Sequence, residues 1–552
     1  MDFGVSLELG SWCLVLRGRL VTVMFDRSSR DTNLPSAAPR QPVRYWPVLV
    51  ILLLAMGAAF WVRSSYGRQR QDQNIAIANV VVISFLLLLL WCLFFSRLRW
   101  KIRLGVLAAV VAAGILMPVV FRIHGVTGDL VPILEWRWQH RALASLAGSL
   151  KAGLRPAAES RVQFTNDYPQ FLGPNRNSTL DQPRLARDWK AQPPQRLWLQ
   201  PVGTGWSGFA IVGTRAITEE QRGENEAVVC YDLLSGAVIW SYAYAAHFQS
   251  SLAGEGPRAT PAVAGQRVYS MGSTGLLNCL ELETGKLVWS KDIVRDNQGE
   301  LNEWGITCSP LVTGDLVVVS AGGRNERSLV AYRAATGEFV WGGGTDGSGY
   351  SSPFLTTLTD VPQILIFNSG GVSAHAPTDG KVLWKYHWPG GHPHVSMPIV
   401  LPDDRVLISS GYGVGSELIK IKKDPQGKFT TTRLWKSNRL KAKFTNLVYR
   451  DGFIYGLDDG IMVCLDASTG ELKWKEGRYG HGQEILVQDA LLVMAETGDV
   501  ILLDPNPQQS RELTRFPAFK EKTWNPPALA GEYLLVRNDK EAACFKLPTT
   551  KP

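Results

Sequence analysis

LLNCLELETGKLVW, residues 276–289, holds two short apolar strands, a polar turn that ends in Gly285, and Trp289 closing the second strand. The same pattern returns as AVVCYDLLSGAVIW (227–240), SLVAYRAATGEFVW (328–341), GVSAHAPTDGKVLW (371–384) and IMVCLDASTGELKW (461–474). A sixth copy, ELIKIKKDPQGKFTTTRLW (417–435), has a longer turn, and a seventh, DVILLDPNPQQSRELTRF (499–516), carries Phe516 where Trp is expected. Alternation along each strand sends one set of side chains inward, and the Gly at 236, 285, 337, 380 and 470 supplies the positive φ of a tight turn. A wide Trp ring on the outer strand then packs against the adjoining unit, adding burial that a lone four-stranded sheet lacks.

Working outward, positions 240, 289, 341, 384, 435, 474 and 516 lie 39 to 52 residues apart, the period of one propeller blade. Upstream of most hairpins an inner strand pair opens with Pro: ATPAVAGQRVYSMG (259–272), CSPLVTGDLVVVSAG (308–322), SSPFLTTLTDVPQILIFN (351–368) and SMPIVLPDDRVLISS (396–410). The last unit, PPALAGEYLLVRNDKEAACFKL (526–547), has three strands, and RLWLQPVG (196–203) supplies the fourth, with Trp198 42 residues before Trp240. Trp198, Trp240, Trp289, Trp341, Trp384, Trp435, Trp474 and Phe516 therefore mark eight blades as docking residues. Closing the ring with a strand from the other end of the chain removes exposed sheet edges. The fold expected is an all-β, eight-bladed propeller of four-stranded blades over residues 168–552.

Ahead of it stand three apolar runs, Trp46 to Val62, Ile75 to Phe95 and Ile102 to Phe121. Each is long enough to cross a hydrocarbon core of about 30 Å at about 1.5 Å per residue. Ten basic residues flank the first run and the loop between the second and third, from Arg17 to Arg44 and from Arg97 to Arg103; six flank the other side. That bias predicts a cytoplasmic amino end and an external propeller. Residues 1–43 are expected to form a disordered cytoplasmic tail, in which Met24 is an alternative start. Residues 44–121 are expected to form the three membrane helices and 122–167 a linker, in which Ile133 to Leu154 reads as a helix with Trp136, Arg137, Trp138 and Arg141 at its start, suited either to a membrane interface or to an ordinary connector.

The chain carries a net charge of +9, but residues 1–160 account for +10 and the rest for −1, so the basic excess reports membrane orientation and not a nucleic-acid partner. The seven cysteines form no CxxC, CxxCH or adjacent pair, which argues against a c-type haem, a zinc ribbon and a dense disulfide framework. Cys230, Cys279, Cys464 and Cys544 recur at one repeat position and read as small buried hydrophobes.

The run from Tyr168 to Pro552 resembles the PQQ-like (pyrroloquinoline quinone) β-propeller repeat proteins, a group that includes PQQ-dependent dehydrogenases and the outer-membrane assembly lipoprotein BamB. The carriers of the resemblance are the TGxxxW hairpins at Thr284 to Trp289, Thr336 to Trp341 and Thr469 to Trp474. In the dehydrogenases the resemblance implies a quinone in the central channel, Ca²⁺ held by Glu, Asn and Asp, and an Asp base. No motif here places those groups residue by residue, so no catalytic residue and no metal ligand is assigned, and PQQ with Ca²⁺ stands as an alternative cofactor set. The loops that lead into inner strands gather at one mouth of a propeller, which makes Arg258, Glu303, Trp304, Arg324, Tyr350 and Asn525 the channel-mouth candidates for binding. His387, His392 and His394 are irregularly spaced without a nearby carboxylate and read as surface-loop histidines, and the glycines at 342–344 and 411–415 as turn residues. The reading favoured is a non-catalytic, protein-binding scaffold among envelope proteins on the outer face of the cytoplasmic membrane. The alternatives are a membrane quinoprotein dehydrogenase acting on an alcohol or sugar, and a sensor of envelope carbohydrate, which Trp and Tyr at one channel mouth would favour.

Overall fold

The computed structural model describes residues 43–65, 69–138, 166–250 and 252–550. Three long apolar helices come first: α1 (Trp46–Ser64), α2 (Arg70–Leu90, extended by a π-helical turn Trp91–Phe95) and α3 (Trp100–Val120). Their mean hydropathies are 1.9, 2.7 and 2.2, and almost nothing on them is buried by protein, as expected of surfaces made for lipid. The chain then turns extended. Strands β1 (Phe121–Val126) and β2 (Pro132–Trp136) form an antiparallel hairpin that starts at the residue after α3.

Here the structure departs from the sequence reading: Ile133 to Trp136 form a strand and not the start of a helix. The sequence PILEW alternates, so Glu135 turns inward to Arg122 and Lys540 while Leu134 and Trp136 stay exposed. A helix would mix those faces. Residues 139–154 of the expected helix, and the tail 1–42, lie outside the described residues.

The propeller has eight blades, each built on a four-stranded antiparallel sheet, and in blades 1 to 6 the strands run in sequence order from the channel outward. In chain order these are blades 1 (210–245), 2 (262–292), 3 (311–343), 4 (354–387), 5 (399–437), 6 (448–478), 7 (483–517) and 8 (528–546). Strand β4 (Gln195–Pro201) completes blade 8 and closes the ring, pairing Trp198 with Cys544. A two-residue strand β3 (Thr179–Leu180) adds to blade 7 on its channel side, in parallel, as a fifth strand.

The repeat follows from one contact. Trp240 lies opposite Cys230, and a ladder bulge follows at once. Its Nε1 donates to the Leu282 carbonyl of blade 2 at 2.8 Å. Its ring covers Gly285, where an added Cβ would lie 2.4 Å from Trp240 Cε3, and φ is +67°. Ring cover and backbone conformation thus both demand glycine in the turn. Trp198, Trp289, Trp341, Trp435 and Trp474 repeat the bond to the next blade, at 2.8 to 3.1 Å. Trp384 packs with Ile419 and Ile421 of blade 5, whose turn is the long copy, and donates instead to Gln363 Oε1. In blade 7 the bulge pattern puts Thr514, opposite Leu502, at the Trp position, with Phe516 two residues further on. Trp189, from the segment before the ring, supplies the missing bulk: it is 3% exposed, meets Phe516 edge-on at 5.4 Å, and its amide donates to Thr514 Oγ1. The four repeat-position cysteines are buried free thiols.

Candidate functional site

Two segments of the chain close the channel. From the far side, residues 168–180 thread across it: Tyr168 bridges to Ile211 of blade 1, and the Pro169 carbonyl accepts from Val263 of blade 2. Arg176, buried, donates to the Ser309 and Pro310 carbonyls beside blade 3, and β3 joins blade 7. From the helix side, the β1–β2 hairpin folds over the mouth.

The hairpin is fastened by polar contacts that the ring assembles from several blades. His124 Nε2 meets Asp539 Oδ2 at 2.6 Å, Lys522 Nζ donates to the Val126 carbonyl at 3.0 Å, and Lys540 Nζ reaches Glu135 at 2.6 Å. At the tip, Gly128 N donates to Glu496 Oε1 at 2.7 Å while its carbonyl accepts from Lys443 Nζ at 2.8 Å. Asp129 faces His481 at 3.5 Å, and its carbonyl accepts from Asn74 of α2. Burial alone would raise the Asp129 and Asp539 carboxyls, but hydrogen bonds and charge from His481 and His124 hold them below the usual aspartate value. Gly128 sits so close to the buried His481 that a Cβ would lie 1.9 Å from its Cδ2.

Between hairpin and floor is a cavity of about 240 Å³. Its wall is a run of touching rings: Tyr350 to Trp304 (4.9 Å), Trp304 to Phe444 (5.9 Å), Phe444 to Trp524 (5.4 Å) and Trp524 to Trp206 (5.1 Å). Phe171 of the threading segment and Gln71 of α2 also line it. Lys443 lies over Tyr412 and Phe444, and Lys522 over Trp206 and Trp524, at 4.0 to 5.2 Å from the ring centres. Burial lowers both ammonium groups from the usual lysine value. Trp304 Nε1 is buried and has no hydrogen-bond partner among the described residues.

Of the sequence candidates, Arg258, Trp304 and Tyr350 line this cavity. Arg258 is held by the carbonyls of Ala253, Gly254 and Gly256. Asn525 is buried just behind, donating to the Gly205 and Ser207 carbonyls. Glu303 is exposed on the Trp304 loop, and Arg324 is exposed on a blade 3 turn, paired with Glu300. Trp206, Phe444, Trp524 and Lys443 were missed, though a signal existed: Trp206, Tyr350, Phe444 and Trp524 each stand four residues before an inner strand, at 210, 354, 448 and 528. The three histidines do not gather. His394 is buried, against expectation, because it stacks on Phe367 at 4.3 Å and bonds the Asn368 carbonyl, whereas His392 stacks on Tyr412.

Calcium takes six to eight oxygen ligands, with carboxylates prominent among them. Among the described residues no Asp or Glu lines the cavity, and no group of three or more His, Cys, Asp or Glu is placed to hold a metal. The lining does not fit the cation of the PQQ dehydrogenases.

Comparison with known proteins bears on the fold. A curated relative, the outer membrane protein assembly factor BamB of Yersinia pestis, is 22% identical over 260 residues; the match takes in 44% of this chain and 62% of that relative's length. Among solved structures, a europium-containing methanol dehydrogenase superposes with a TM-score of 0.54 at 13% identity, covering 69% of this chain and 98% of that one. The quinohemoprotein alcohol dehydrogenase of Comamonas testosteroni gives 0.51 at 13% identity, covering 74% and 85%. These likenesses show the propeller fold alone. The family model described as outer membrane protein assembly factor BamB matches residues 196–476, about half of the chain, and the protein belongs to that family of repeat propellers.

Proposed function

We propose that the protein is a non-catalytic scaffold that binds envelope proteins, held on the outer face of the cytoplasmic membrane by α1–α3 with its amino end inside. What carries the reading is the double closure of the channel: the chain fills both entrances with its own segments and seats one mouth on the anchor. The outer strands are then left to partners. They bear exposed Leu199, Leu287, Val288, Phe339 and Leu434, beside ladder edges suited to an added strand. The dehydrogenase reading lacks support from a lining without carboxylates.

A second reading has a specific observation in its favour. The Trp and Tyr rings gathered at one mouth suit a sensor module whose cavity holds a ligand, the rings and largely apolar wall defining what enters.

The test uses the full chain in detergent. A scaffold gives no saturable quenching of tryptophan fluorescence by PQQ with Ca²⁺ and no dye-linked oxidation of alcohols or sugars. A photo-crosslinker at Phe339 or Leu434 in cells gives a discrete adduct. Saturable quenching with turnover, or no adduct from any outer strand, refutes the scaffold.

A further inference from the structure

We propose that the cavity between the β1–β2 hairpin and Phe171 is a binding site for an anionic amphiphile, an acid group on an apolar body, drawn from the adjacent bilayer. The inference deepens the sensor reading and rests on it; it is independent of the scaffold reading.

Three observations converge on that chemistry. The body of the site is apolar and aromatic, from Trp206, Trp304, Phe444 and Trp524, so its ligand must be largely apolar to gain by entering. The charges in the wall are Lys443 and Arg258, with no carboxylate, so a negative group is favoured over a neutral or positive one. Both keep donor capacity: Arg258 gives three of its five N–H groups to backbone carbonyls, and Lys443 gives two of its three to the Gly128 carbonyl and Gln71.

The source follows from the neighbours. Gln71, in the first turn of α2, lines the cavity, and the hairpin that roofs it begins at the residue after α3. The mouth therefore opens where two membrane helices end, at the level of lipid headgroups. An amphiphile that slides its apolar body under the hairpin leaves its acid group near Lys443.

Native mass spectrometry of the full chain in neutral detergent tests this with oleate as the probe. The expected result is a single oleate adduct, weakened about tenfold or more for methyl oleate, and likewise for the Lys443→Gln variant, which removes a charged hydrogen-bond donor. Val395→Trp, which fills the cavity from a loop position, is expected to abolish the adduct. Tryptophan fluorescence and melting temperature confirm that each variant is folded. Equal binding of acid and ester, or an adduct that survives Val395→Trp in a folded protein, means annular lipid only and overturns the proposal. Failure of oleate where maltotriose binds overturns the amphiphile and leaves the sensor reading standing. Failure of oleate where PQQ binds overturns both.

Discussion

Gly128→Val tests the closure of the channel most directly. An added Cβ falls 1.9 Å from His481 Cδ2, and His481 is 3% exposed with Phe444 against it, so the imidazole has no room to give way. The hairpin tip must lift. Lifting breaks the bond from Gly128 N to Glu496 and the bond from Lys443 to the Gly128 carbonyl, each made to a charged side chain. Such bonds contribute about 1.5–3 kcal/mol apiece. Losing both weakens closure by about 3–6 kcal/mol, which raises the open fraction by about a hundredfold or more. The assay is the alkylation rate of a cysteine introduced as Val395→Cys, a near-isosteric change in the cavity wall, read at position 395 by peptide mass spectrometry. Slow labelling in the parent and fast labelling with Gly128→Val are expected. Equal rates would show that the hairpin does not guard the cavity.

Three further outcomes follow from the same structure. Gly285→Ala should lower the melting temperature more than Gly531→Ala, because both have positive φ, worth about 1–2 kcal/mol for a side chain, but only Gly285 is covered by a Trp ring. Glu484 is buried without a hydrogen-bond partner among the described residues, and burial pushes its carboxyl up to about 8 from an ordinary 4.5, so the folded state holds a proton that the unfolded state releases. Stability therefore falls as pH rises between those values, by at most about 1.4 kcal/mol per unit, and Glu484→Gln should flatten the slope seen in denaturant titrations from pH 5 to about 8. Gly390→Cys, on an exposed loop with open space around it, should react with an impermeant maleimide in cells whose outer membrane is permeabilised; labelling only after lysis would reverse the proposed orientation.

The sequence alone carried the ring. A Trp every 39 to 52 residues, a turn glycine ahead of it and a spare strand at 196–203 are local signals: each strand face, turn and docking ring is encoded within one blade and its neighbour. The apolar runs were equally legible, since a bilayer imposes length and composition on a single segment. Three of the six mouth candidates line the cavity for the same reason, as the loops before inner strands all emerge on one side.

What the tertiary structure decided is everything that joins distant segments. The hairpin at 121–136 looked like a linker, because its strands are short and its partners, Lys443, Glu496, Lys522 and Asp539, lie more than 300 residues away. Trp189 stands in for a missing repeat Trp from outside the repeat pattern, and only the closed ring places the 168–180 segment across the channel. The cavity lining is likewise the sum of loops from different blades, each unremarkable alone. Periodicity reports which face of a strand is buried, but only closure of the ring fixes which loops meet at the mouth and what they enclose.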